Sequence, residues 1–96
     1  MKVLGKKVLH DFAQKHTEVR RQVAVWLAEV EDATWKTPDE VRTRYPTVSF
    51  IGDKRAVFNM KGTKYRLDTS IAFNTGIMQI NRAGTHAEYT KWTFLR

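Results

Sequence analysis

Residues 55–82, RAVFNMKGTKYRLDTSIAFNTGIMQINR, decide the fold. Within them Lys64–Phe73 alternates: Tyr65, Leu67, Ile71 and Phe73 share one face of an extended chain, and Lys64, Arg66, Asp68 and Ser70 share the opposite one. Arg55–Lys61 reads as the preceding strand, with Phe58 and Met60 on one face and Val57, Asn59 and Lys61 on the other, and Gly62-Thr63 turns the chain between the two. Asn74-Thr75-Gly76 marks the next turn and Ile77–Arg82 a further strand. Upstream, Val48, Phe50 and Ile51 form a strand that ends at a Gly52-Asp53 turn. Strands joined by turns of two or three residues make an antiparallel meander. One face of such a sheet can pack on helices while the other stays wet.

The first half of the chain has the other period. Val8, Leu9, Phe12 and Ala13 recur at helical spacing, the pattern restarts near His16 with Thr17 as an N-cap, and Val19, Val23, Trp26, Leu27 and Val30 then form one apolar stripe. Trp35 is expected to join Trp26 in the core. Thr37-Pro38-Asp39-Glu40 opens a short third helix: Thr37 caps it, Pro38 needs no N–H partner in the first turn, and Glu40 closes a capping box. Tyr45, before Pro46, is pushed toward extended geometry and ends that helix. Met1–Leu4 fits an edge strand or a helix lead-in. Helices first and a meander second indicate one α+β domain over residues 1–96, with two N-terminal helices on a three- or four-stranded antiparallel sheet.

Ninety-six residues, 42% of them hydrophobic, bury one modest core, so a shallow surface site is expected rather than a deep cleft. There is no cysteine, which excludes disulfides, thiolate nucleophiles and thiolate zinc sites. His10, His16 and His86 lack metal-ligand spacing, so neither metal nor cofactor is expected; His10 and His16 read as surface residues of the helical half. No N-terminal apolar signal region is visible, and no run approaches the ~18–20 apolar residues of a membrane helix. A soluble cytoplasmic protein without membrane association is expected.

The net charge is +7 and the isoelectric point about 10.0, the balance of a small protein that meets a polyanion. The charge is uneven. Residues 1–52 hold nine basic and seven acidic side chains, and residues 53–96 hold eight and three. The basic half should therefore carry the binding face, with Lys64, Arg66 and their neighbours facing a phosphate backbone. An enzyme acting on RNA, a non-catalytic RNA or ribosome binder, and a protein-interaction module that uses the helical face all fit this pattern.

Two stretches narrow the choice. Residues 57–67, VFNMKGTKYRL, and residues 84–89, GTHAEY, together with TWKTPDE after the second helix, resemble the HigB family of toxins from type II toxin–antitoxin systems, within the wider RelE-like group. The resemblance runs through nearly the whole chain. It implies a RelE-like ribonuclease fold with a short C-terminal helix, ribosome-dependent cleavage of mRNA, inhibition of translation, and neutralisation by a HigA-like helix-turn-helix antitoxin. Relatives often carry Asp after the Glu-Tyr pair, where this chain has Thr90.

Cleavage of RNA without a metal uses the RNA's own 2′-hydroxyl. It needs a base for that proton, donors for the charge on the phosphate, and an acid for the leaving 5′-oxygen. His86 and Tyr89 are the first candidates: if residues 85–92 start a helix, they lie three apart on one face. An imidazole titrates near neutrality, as proton transfer requires. The phenol of Tyr89 can stack on a base or donate its proton. By the resemblance, Arg66 holds the scissile phosphate. Lys61, Lys64, Arg82 and Lys91 are candidates for contacts to flanking RNA.

Overall fold

A computed structural model describes residues 1–52 and 54–92. The elements follow in the order β1 (Lys2–Leu4), α1 (Lys6–Lys15), a 3-10 turn (Thr17–Val19), α2 (Arg20–Asp32), α3 (Pro38–Arg44), β2 (Ser49–Ile51), β3 (Arg55–Met60), β4 (Tyr65–Ala72), β5 (Ile77–Thr85) and α4 (His86–Tyr89). They form one α+β unit.

The sheet differs from the expected three or four antiparallel strands. It has five strands in the order β1-β5-β4-β3-β2, and β1 runs parallel to β5 while every other pair is antiparallel. Three residues are too few for alternation to register. β1 becomes a strand because the outer edge of β5 offers unpaired backbone groups and Val3, paired with Met78, drops into the core. β5 also runs on to Thr85, beyond the expected Arg82, because Ala83, Gly84 and Thr85 continue the ladder with Leu67, Arg66 and Tyr65. Between the Asp68–Arg82 and Thr69–Ile80 pairs the register slips, leaving Asn81 as a bulge. Asn81 Nδ2 donates to Ser70 Oγ at 2.9 Å.

One face of the sheet is sealed by the helices. Leu9 and Phe12 of α1, Val23, Trp26 and Val30 of α2, and Val41 of α3 pack with Phe58, Met60, Leu67, Ile71, Met78 and Ile80. Each fully buried side chain of this size stabilises the fold by about 1.5–3 kcal/mol. Trp26 stacks edge-on against Phe58 (5.1 Å), Phe58 against Tyr45 (5.5 Å), and Tyr45 against Trp35 (6.1 Å), so both tryptophans share the core as expected. The Tyr45 hydroxyl donates to Glu29, and burial together with that carboxylate pushes its pKa up to about 12.

Two helix starts depart in detail from the expectation. Thr17 opens a 3-10 turn and its side chain caps nothing, so α2 begins at Arg20. At α3, the Glu40 N–H donates to Thr37 Oγ1 as expected, but the Glu40 carboxylate accepts from the Lys36 N–H at 2.7 Å rather than from Thr37. His16 also differs from its expected place on the surface. It is half-buried, with its ring 5.0 Å from Phe12 and 4.9 Å from Tyr65.

Candidate functional site

The face turned away from α1 and α2 is built in rows across β3, β4 and β5. Asn59, Arg66 and Gly84 make one row, and Val57, Asp68 and Arg82 the next. The bulge at Asn81 restores the phase that brings Arg82 opposite Asp68. α4 folds back over this face from the end of β5.

What aims α4 is its N-terminus. Thr85 Oγ1 accepts from the Glu88 N–H at 3.2 Å, and the Glu88 carboxylate accepts from the Thr85 N–H at 2.9 Å, a reciprocal capping box. That backbone N–H holds the Glu88 carboxyl below its ordinary pKa. The N–H of His86 donates to the Lys64 carbonyl at 2.9 Å, tying the first residue of α4 to the β3–β4 turn. Gly84 leaves room for the fold-back, since a Cβ there would lie 3.1 Å from both Glu88 Oε1 and Trp92 Cζ2, closer than most Cβ contacts.

The three residues expected to do chemistry are thereby brought together. The Arg66 guanidinium lies 4.8 Å above the Tyr89 ring, and Tyr89 is 6.2 Å from the exposed ring of His86. Arg66 Nη1 donates to Asn59 Oδ1, while Asn59 Nδ2 donates to the Thr47 carbonyl at 2.9 Å. Arg66 is thus positioned by neutral partners and keeps its positive charge. Its Nε is buried without an acceptor among the described residues. A cation so held, beside a phenol and an imidazole on an open surface, is equipped to bind an oxyanion and to move protons around it.

The four flanking cations are placed less uniformly. Arg82 shares the face but is engaged: its Nε donates to Asp68 Oδ2 at 2.9 Å and its guanidinium lies 4.7 Å over Trp92. Arg55 donates to both oxygens of the same carboxylate at 2.7 Å, and that contact raises the Arg55 pKa. Lys61 and Lys64 leave the face altogether. Both ammonium groups meet Glu18 in the 3-10 turn, at 2.9 and 3.1 Å. Lys91 follows α4 with an exposed side chain. The expected terminal helix over 85–92 is confined to His86–Tyr89, and Thr90 stands exposed at its C-cap, its hydroxyl donating to the Ala87 carbonyl.

Sequence reasoning missed Asp68, Trp92, Glu18 and the Thr85–Glu88 box. The last of these was readable as Thr-x-x-Glu at a helix start. Trp92, whose ring packs 5.7 Å from Tyr89, had no local signal.

A model of the HigB toxin family, described as the RelE-like toxic component of a toxin–antitoxin system, matches residues 19–92. The mRNA interferase toxin HigB of Escherichia coli K12 is 24% identical over 95 residues, covering 97% of this chain and 91% of that protein. The mRNA interferases HigB of Escherichia coli O157:H7 and of Shigella flexneri match to the same extent.

Proposed function

The chain belongs to the HigB toxin family, the RelE-like toxic components of toxin–antitoxin systems, and from that premise we propose that it is an endoribonuclease that cleaves mRNA on the translating ribosome. Its relatives carry the name mRNA interferase. The observation that carries the reading is Arg66, charged, positioned by Asn59, seated 4.8 Å over Tyr89, and next to His86 through that ring.

In this reading the 2′-hydroxyl attacks the neighbouring phosphorus as its proton leaves. The P–O5′ bond breaks, and the 5′-oxygen takes up a proton. The products are a 2′,3′-cyclic phosphate and a free 5′-hydroxyl. Arg66 binds the non-bridging oxygens and stabilises the charge that builds on them. His86 and Tyr89 are the two proton carriers, one serving the 2′-oxygen and the other the leaving 5′-oxygen. Lys91 and Arg82 border the path of the RNA. No metal takes part in this scheme. Translation stops because the message is cut, and a HigA-like helix-turn-helix antitoxin restrains the toxin in the cytoplasm.

The test is primer extension on a defined mRNA in a translating extract. Wild type should produce new internal ends only when ribosomes engage the message. Arg66→Ala should slow their appearance by about 10²–10³-fold, the usual cost of losing one donor to a developing oxyanion, with the fold intact by circular dichroism. Arrested translation on an intact message would instead assign a binding role to the same face.

A further inference from the structure

A second convergence of cations lies at the β3–β4 turn, outside the Arg66 site. The exposed Glu18 carboxylate accepts from Lys61 Nζ at 2.9 Å, from Lys64 Nζ at 3.1 Å, and from the Tyr65 hydroxyl. One helical turn on, Gln22 Oε1 accepts from the Lys61 N–H at 2.9 Å. The turn between these residues holds one non-glycine residue in the left-handed region, Lys61 at φ 50°, followed by Gly62 at φ 67°, which a glycine adopts freely. A left-handed conformation at a residue with a Cβ costs roughly 1–2 kcal/mol. The same turn supplies the Lys64 carbonyl on which the His86 N–H rests. One carboxylate on the helical layer therefore sets where two lysine charges point, and together with Gln22 it braces the turn from that side.

We propose that Glu18 is a positioning residue of the RNA site: it fixes the Lys61–Lys64 turn on which His86 is seated, and it holds two ammonium groups away from the RNA. The proposal rests on the endoribonuclease reading for the role of His86. Its consequence is a pair of effects of opposite sign. Without the carboxylate, Lys61 and Lys64 become available to phosphates and RNA binds more tightly. The turn loses its anchor at the same time, and cleavage slows. A residue that merely supported the fold would weaken both.

The variant to make is Glu18→Gln, which keeps the shape and removes the charge. Affinity would be measured by fluorescence anisotropy on a single-stranded 2′-O-methyl RNA, which has no free 2′-hydroxyl to attack. The cleavage rate would be measured with saturating toxin on mRNA-programmed ribosomes. The expected result is binding tighter by about 3–10-fold at low salt, a salt dependence steeper by roughly 0.7 per lysine released, and cleavage slower by about 10-fold. Adding Lys61→Gln and Lys64→Gln should cancel the gain in affinity without restoring the rate. Glu18→Asp, one methylene shorter, should give both signs at smaller amplitude, and it replaces Glu18→Gln if that variant does not fold. Unchanged or weaker RNA binding, or an unchanged cleavage rate, would overturn the proposal. A wild-type protein that cuts nothing would instead refute the endoribonuclease reading, and the binding measurement would still judge the hold of Glu18 on the lysines.

Discussion

Asp68 and Glu18 each face two cations, yet they do different work. Asp68 is fully buried in the middle of β4 and takes three hydrogen bonds of 2.7–2.9 Å from Arg55 and Arg82. Glu18 lies at the surface, with 36% of its side chain exposed, and gathers two flexible lysines and a tyrosine hydroxyl. A carboxylate without water must keep its partners, whereas an exposed one can trade them for solvent or for another anion. The arginines of Asp68 therefore belong to the sheet, and the lysines of Glu18 form a reserve of positive charge. Arg66, two residues from Asp68 on the same face, has the neutral Asn59 and the Tyr89 ring as neighbours and keeps its charge for a ligand.

The sharpest way to break this contrast is to remove each carboxylate in turn. Asp68→Ala removes the buried carboxylate on which the two guanidinium groups converge and should cost about 3–5 kcal/mol, the usual range when one partner of a buried pair is deleted. Urea denaturation reads it directly. Glu18→Gln should lose far less. Equal losses at the two sites would mean that exposure does not separate them.

Glu88 is a third kind of carboxylate, held first by a backbone N–H. Thr85→Ala removes one arm of the capping box and should cost about 1 kcal/mol. Because that box aims α4, cleavage should suffer beyond the loss of stability, with His86 and Tyr89 displaced together. A variant that loses stability but cleaves at the wild-type rate would show that the Lys64–His86 bond alone seats the helix.

These contrasts also mark where the sequence was legible. The meander over β3, β4 and β5 showed itself through alternation, and the α2 stripe through its 3.6-residue period, because both are local patterns repeated several times. β1 was ambiguous because three residues carry no period, and its parallel pairing depends on an edge created some seventy positions later. Arg66, His86 and Tyr89 were picked out from two separate stretches, and the fold does bring them together. Lys61 and Lys64 were assigned to the wet face by strand parity. Their side chains instead close contacts across 43 and 46 residues to Glu18, which no local pattern records. Asp68 sits on the polar side of the alternation and is nevertheless fully buried, because Arg55 and Arg82 flank it across the neighbouring strands.

The smallest effect is also the most specific, and it lies in acid. The Tyr65 hydroxyl, Lys61 and Lys64 hold the Glu18 carboxyl at about 2, against an ordinary value of 4.5. A depressed native pKa makes a stabilising contribution that is complete above the unfolded value and is lost as the pH falls through the native one. The stability difference between wild type and Glu18→Gln should therefore stay constant from neutrality down to about pH 5 and shrink between 4.5 and 2. Denaturation curves for the two proteins across that range isolate Glu18, because every other carboxylate is common to both and cancels in the difference. A difference already gone at pH 5 would mean that the lysines and the tyrosine do not hold the carboxylate in solution. The reserve of charge at the turn would then be open to RNA at all times.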